Sequence, residues 1–288
     1  VIFDDLGIPE SVYHKIKASA RLINHKVHNE ILPKRRLNAH KGLFGHVLVV
    51  GGGPGMPGAA IMAGTAALRA GAGRVTVATH PEHATSIPMH QPELMSQGVM
   101  TADEILPLVA KSSCVILGPG LGQSDWAREL FESVIDQSIP MVLDADALNL
   151  LSLHPRQGGG WVLTPHPAEA ARLLGLSSHD IQRDRFSAAL HLHERYQAVA
   201  VLKGAGTVVA SEEGLSVCSE GNPGMATAGM GDILTGVVGG LVAQKLDLIS
   251  AAERGVCIHA WAGDQVAKAG ERGMIATDLL GFIRQGVN

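Results

Sequence analysis

The stretch His46-Val47-Leu48-Val49-Val50-Gly51-Gly52-Gly53-Pro54-Gly55-Met56-Pro57-Gly58, running through an Ala-rich segment to Arg74-Val75-Thr76-Val77-Ala78-Thr79, decides the fold. HVLVV (46–50) is a short apolar run closed by glycines, the pattern of a strand buried on both faces. The Ala-rich segment at about 58–71 predicts a helix, and RVTVAT (74–79) a second strand. A strand, a crossover helix and a strand in so few residues make a βαβ unit, whose strands must run parallel.

Working outward, further buried strands are predicted at CVILG (114–118), PMVLDA (140–145), WVLT (161–164) and AVAVLK (198–203). Helices are predicted at 125–137, 167–175 and 180–196, with two more at about 232–245 and 250–269 closing the domain. The connection from Lys203 to Thr207-Val208-Val209-Ala210 is too short for a helical crossover, so a hairpin with antiparallel pairing is expected at that edge. Residues 11–32 scatter apolar positions among His, Lys and Asn, and Pro33-Lys34-Arg35-Arg36 follows as a solvated basic linker. Residues 1–36 therefore read as an arm and 37–288 as the domain. The strand-like start Val1-Ile2-Phe3, without an initiator Met, has the look of a piece cut from a longer protein.

With 288 residues, 46% hydrophobic and 17% charged, the chain can bury a large core. Its 35 glycines and 3% aromatics suit helices packed closely on strands. A net charge of −4 offers no electrostatic footprint for nucleic acid or an anionic membrane, so any phosphate must be bound locally. No window is long and apolar enough to span a bilayer. Cys114, Cys218 and Cys257 are odd in number, widely spaced and contain no CxxC, which supports neither a disulfide framework nor a zinc site; a reducing cytoplasm is the default.

The chemistry concentrates in Gly-rich turns that follow apolar strands. Gly221-Asn222-Pro223-Gly224-Met225-Ala226-Thr227-Ala228-Gly229-Met230-Gly231-Asp232 runs into the apolar segment from Ile233, so backbone N–H groups meet the positive end of a helix. Gly229, Met230 and Gly231 make an anion hole there. Asp232 beside it suits deprotonation of a hydroxyl under phosphoryl attack, although Asp at a helix start is also a favoured N-cap.

Gly53-Pro54-Gly55-Met56-Pro57-Gly58 matches GxGxxG only formally. Two prolines remove N–H groups from the loop, and the strand that follows ends in Ala78-Thr79-His80 with no acid for a ribose. Leu117-Gly118-Pro119-Gly120-Leu121-Gly122 lies where open α/β sheets bind ligands. In Leu143-Asp144-Ala145-Asp146 two carboxylates can orient Mg²⁺ through water, or Asp146 can cap a helix. Leu163-Thr164-Pro165-His166-Pro167-Ala168-Glu169 sets His166 and Glu169 at a helix entrance, where Glu169 either complements the helix dipole or holds Mg²⁺ by way of water. Lys203-Gly204-Ala205-Gly206-Thr207 offers a cation, free N–H groups and a hydroxyl in one turn. The 14 histidines show no HExxH, and GxSxG is absent, which removes metallohydrolase and acyl-transfer readings.

Taken in order, HKGLFGHVLVVGGGPGMPGAA, LGPGLG, VLDADALNLL, LTPHPAEAARLLG, VLKGAGTVV and GNPGMATAGMGDILTG resemble the NAD(P)H-hydrate dehydratases of the ribokinase-like superfamily from His40 to about Arg284. The resemblance implies a three-layer α/β/α sandwich with a mostly parallel sheet. It implies Mg²⁺ as cofactor, ADP or ATP as co-substrate, the S-hydrate of NADH or NADPH as substrate, and assembly as a homo-oligomer. By position, Lys203, Gly204, Ala205, Gly206, Thr207 and Gly231 would hold the nucleotide; Ala59, Gly122, His166 and Asp232 would meet the hydrated nicotinamide, with Asp232 catalytic. Ala228 departs from the usual glycine. Val1–Tyr13 resembles the tail of the epimerase domain fused to many bacterial members. The rival reading is a small-alcohol kinase of the hydroxymethylpyrimidine or hydroxyethylthiazole type, which carries Asn-x-x-Glu where this chain has His166-Pro167-Ala168-Glu169.

Overall fold

The computed structural model describes residues 7–13, 15–16, 18–28 and 34–288. The strand-like start at Val1-Ile2-Phe3 and Pro33 of the basic cluster lie outside these residues. The strands in chain order are β1 Arg21–Ile23, β2 His46–Val50, β3 Arg74–Thr79, β4 Met95–Gly98, β5 Cys114–Leu117, β6 Met141–Leu143, β7 Trp161–Leu163, β8 Val199–Leu202, β9 Thr207–Ser211 and β10 Gly214–Cys218. The helices are α1 Glu10–Tyr13, α2 Pro57–Arg69, α3 Ser86–His90, α4 Ala102–Val109, α5 Asp125–Ile135, α6 Asp146–Leu153, α7 Pro167–Leu174, α8 Ser178–Arg183, α9 Arg185–Tyr196, α10 Met230–Ala243, α11 Leu248–Ala267 and α12 Leu280–Gly286.

Among the described residues one ten-stranded sheet forms, in the order β1-β10-β9-β8-β7-β6-β5-β2-β3-β4. Only β9 runs against its neighbours β8 and β10, which bears out the predicted hairpin. The predicted strands β2 and β3 pair in parallel, His46 opposite Arg74 through Val50 opposite Ala78.

The period of two along each strand builds the layers. Val47, Val49, Val75, Val77 and Ile116 face a core shared with α2, α10, α11 and α12, while Leu48, Val50, Val115 and Leu117 face a second core shared with α4 to α9. The result is the expected α/β/α sandwich. Helix α10 is buried almost all round, and it lies against α2 with backbone nearly on backbone. A Cβ at Gly236 would stand 2.2 Å from the Ala63 carbonyl oxygen, and one at Gly240 would stand 2.7 Å from that of Ala67. Gly236 and Gly240 are four residues apart, as are Ala63 and Ala67, so both contacts fall on one face.

Three departures from the sequence reading have local causes. The segment expected to be a free arm contributes β1, which pairs in parallel with β10 and buries Ile23 completely; His25 stacks on Trp261 with ring centroids 4.4 Å apart. Arg35 is not simply solvated: it lies 3.6 Å from the Phe44 ring centroid and donates to the Gly71 carbonyl. The helix expected over 180–196 breaks at Asp184, whose carboxylate accepts from Ser187 N–H at 3.0 Å and restarts the chain as α9.

Candidate active site

Every Gly-rich turn singled out in the sequence leaves the carboxyl end of a strand, and parallel pairing, with β9 reversed between β8 and β10, collects these turns along one edge of the sheet. The 51–56 loop is welded to the 118–122 loop: Gly52 and Gly53 N–H donate to the Pro119 and Gly120 carbonyls at 3.0 and 2.7 Å. Gly55 N–H donates to His83 Nε2 at 3.1 Å. These amides are occupied within the protein, consistent with the rejection of a dinucleotide fingerprint. The 118–122 loop reaches Ala59, since a Cβ at Gly120 would lie 3.1 Å from the Ala59 Cβ. Gly122 N–H in turn donates to Asp146 Oδ2 at 2.8 Å. Asp146 is therefore the first residue of α6 and a brace for the neighbouring loop; the residue before that helix, Ala145, has a φ of 49°.

At the centre Lys203 Nζ bonds Asp144 Oδ1 at 2.7 Å and stands 3.8 Å from Glu169 Oε2. Thr235, on α10, donates to Asp144 Oδ2 at 2.8 Å. Burial alone would raise the Asp144 pKa, but the Lys203 charge and the hydrogen bonds from Lys203, Thr235 and Thr164 outweigh it and hold the carboxyl below its ordinary value. Lys203, likewise pulled down by burial, is raised overall by Asp144 and Glu169. This pair is a charged strut between β6 and β8.

The 203–207 turn is held by Arg185, which donates to the carbonyls of Leu202, Lys203 and Gly206 at 3.0, 3.3 and 3.1 Å. Thr207 Oγ1 closes the turn by donating to the Gly204 carbonyl at 3.1 Å, with Ala205 exposed at its tip. Arg185 was marked by no motif, whereas Thr235 lies within the GNPGMATAGMGDILTG stretch but was given no role there. The break at Asp184 that puts Arg185 at the start of α9 was the one local signal for the first.

Helix α10 begins at Met230 rather than near Asp232, so Asp232 is in the first turn and is not the N-cap. That place belongs to Gly229 at φ 88°, a left-handed conformation natural to glycine, and no side chain caps the helix. Ala228, by contrast, has no positive φ, so its departure from the family's glycine leaves the turn unaffected. A Cβ at Gly231 would lie 3.2 Å from Lys203 Nζ and 3.5 Å from Asp144 Oδ2, which brings the open helix end against the strut. Beneath it on α11, His259 hydrogen-bonds the Met230 backbone, and burial pushes its pKa down to about 4, so it is neutral.

Asp232 is raised to about 7, first by burial and then by the carboxylates Asp144, Asp146 and Glu169, against the pull of Lys203. Glu169 is also raised by burial, with Lys203 opposing and Asp144 adding to the shift. Its carboxylate accepts from His166 N–H at 2.7 Å while His166 Nδ1 accepts from Ala168 N–H at 3.1 Å, a reciprocal cap that fixes the start of α7. The imidazole of His166 is half-buried at the rim, and that partial burial with the Lys203 and Arg172 charges lowers its pKa.

The sheet order, the turns gathered at its carboxyl edge and the open helix start define an α/β protein of the ribokinase-like class. A family profile described as NAD(P)H-hydrate dehydratase matches residues 47–285, and the chain belongs to that family. It is 53% identical over its whole length to a bifunctional NAD(P)H-hydrate repair enzyme of Coxiella burnetii, of which it covers 59%. It is 37% identical to an ADP-dependent (S)-NAD(P)H-hydrate dehydratase of Lactiplantibacillus plantarum, over 81% of this chain and 85% of that one. The chain thus spans about three fifths of the length of the bifunctional relatives it matches. Among solved structures, an ADP/ATP-dependent NAD(P)H-hydrate dehydratase of Bacillus subtilis co-crystallized with ATP/Mg²⁺ superposes with a TM-score of 0.82 at 26% identity, covering 94% of this chain and 98% of that one. A hydroxyethylthiazole kinase from Pyrococcus horikoshii shares the fold alone, with a TM-score of 0.59 at 12% identity.

Proposed function

We propose that this chain dehydrates the S-hydrate of NADH or NADPH at the expense of ADP or ATP. The observation that carries the reading is the open start of α10, where N–H groups free of a side-chain cap lie beside a carboxylate raised to about 7. A general base works best when its pKa is near the working pH. Hydroxide leaves poorly, so the hydrate's hydroxyl must first be converted. In this reading Asp232 accepts the hydroxyl proton as the oxygen attacks the terminal phosphoryl group of the nucleotide. Backbone N–H groups of Gly229, Met230 and Gly231 meet the phosphoryl oxygens. The ring nitrogen's lone pair then expels phosphate, and the iminium so formed releases a proton from the adjacent ring carbon to solvent, which restores the dihydropyridine.

The 203–207 turn, stiffened by Arg185, supports nucleotide binding by Lys203, Gly204, Ala205, Gly206 and Thr207, together with Gly231. Ala59, Gly122 and His166 stand on the loops at the same edge and would meet the nicotinamide. The donor set fits Mg²⁺: the carboxylates of Asp144, Glu169 and Asp232 surround the ammonium of Lys203, and Asp146 adds its negative charge at Asp232. Glu169 already accepts from the His166 N–H, which suits contact through water better than direct ligation. When bound, the ion would screen charge on the phosphates.

The domain at 37–288 carries this activity in our reading, entered by residues 1–36 from an upstream epimerase-like domain, in a reducing cytoplasm and as a homo-oligomer. Purified S-hydrate incubated with Mg²⁺ and either nucleotide should regain the absorbance of the reduced nicotinamide. No recovery with ADP or ATP, together with rapid phosphorylation of a thiazole or pyrimidine alcohol, would establish the kinase instead. Light scattering on the same sample reads the subunit number.

A further inference from the structure

At the carboxyl end of β10 the strand finishes in Cys218, and α11 brings Cys257 against it; both thiols are buried. The sulfurs of Cys218 and Cys257 and a carboxylate oxygen of Glu220 all lie within 4.8 Å of one another. Two soft sulfurs and one oxygen converging this closely form the donor set of a site for a thiophilic divalent cation, with a fourth position left to water. Three elements hold the geometry. Cys218 is pinned by β10 pairing with both β1 and β9, Cys257 by the middle of a 20-residue helix, and Glu220 by the His25 N–H, which donates to its Oε2 at 2.8 Å.

An independent observation points the same way. Arg254, one helical turn before Cys257 and therefore on the same face of α11, is 2% exposed. Its Nε and Nη1 have no hydrogen-bond partner among the described residues. An unpaired buried guanidinium is costly unless something nearby is negative. A divalent cation held by two thiolates and one carboxylate carries one net negative charge, which would supply that partner.

We propose that Cys218, Glu220 and Cys257 form a binding site for a thiophilic divalent cation of the Zn²⁺ class, counterbalanced by Arg254. On binding, each thiol releases its proton to solvent as a metal–sulfur bond forms, and no oxidation state changes. The site would tie the end of β10 to α11 directly before Gly221 and Asn222, which α11 already holds through Asp264 at 3.0 and 2.9 Å.

Cd²⁺ added to the reduced, full chain in a phosphine reductant provides the probe. The expected result is one equivalent bound, with an ultraviolet thiolate-to-cadmium charge-transfer band and proton release into weakly buffered medium. Both signals should vanish in Cys218→Ser and Cys257→Ser and persist in Cys114→Ser. Because buried serines can impair folding, Glu220→Gln gives a second reading: it should weaken Cd²⁺ binding at least about tenfold while the circular dichroism spectrum is unchanged. The absence of a band in the folded wild-type chain would overturn the proposal. So would a band that survives loss of both Cys218 and Cys257, unchanged affinity in folded Glu220→Gln, or a Cys218–Cys257 disulfide that forms in air in a chain whose reduced form takes up no Cd²⁺.

Discussion

Two helix starts at the same edge of the sheet are built in opposite ways. Helix α7 is closed on itself: His166 accepts the first N–H groups, Glu169 reaches back to the His166 N–H, and proline fills the first turn. Helix α10 begins with a left-handed glycine and no capping side chain, and its one acidic residue, Asp232, is raised to about 7. A satisfied helix end is a structural joint, whereas an end left open in the middle of a buried charge cluster is available to a ligand.

The largest effect should come from Asp232→Asn, which leaves the α10 backbone as it is and removes the base. Turnover is expected to fall roughly 10²–10⁴-fold with nucleotide affinity little changed, read by single-turnover kinetics and nucleotide titration. Wild-type activity should rise with pH until about 7, following ionisation of Asp232. The stability sign is opposite. A carboxyl raised in the folded state stabilises it fully below the ordinary value of 3.8, and that contribution is lost as pH rises through about 7. The Asn variant should therefore gain in Tm over the wild type progressively between those two values and hold the gain above them. A flat difference across this range would show that Asp232 is not raised.

Next in size is Lys203→Met, which leaves Asp144 buried without its cation. Urea unfolding should register a loss of about 3–5 kcal/mol, and nucleotide binding should fail. Gly229→Ala tests the open end itself: the new Cβ would meet Met62 Sδ at 2.6 Å at a φ of 88°. A loss of about 1–3 kcal/mol is expected, with weaker nucleotide binding. His166→Ala should have the smallest effect, about 0.5–2 kcal/mol for a lost cap. An equal loss of phosphate affinity in the His166 and Gly229 variants would erase the distinction between the two helix starts.

Much of the sheet was legible in the residues, but the open start of α10 was not: the helix was expected from about 232, with Asp232 able to cap it, whereas it begins at Met230 behind Gly229. The limits of β2 and β3 followed from apolar runs closed by Gly and His, and parallel order with one reversed strand, β9, then brought the Gly-rich turns to one edge. The edges of the sheet were harder to read because they lack the two-sided burial that writes such runs. Met-Ser-Gln-Gly of β4 and the three residues of β1 carry no strand signature, and Pro107 inside α4 masks a helix. The candidate site residues were visible as types in turns, but their division of labour was not. Asp144 and Asp232 look alike in sequence; the Lys203 and Thr235 contacts hold one low, while burial among like charges raises the other. Arg185 acts through three carbonyls that only folding brings within its reach.

The glycines and alanines that seat α10 on α2 leave no long side chain between the two backbones at Gly236 and Gly240. Such a joint has no rotamers to excite and almost nothing to compress, so warming cannot loosen it by degrees. The donors at the head of α10 should keep their spacing up to the melting transition, and catalytic competence and tertiary structure should disappear at the same temperature.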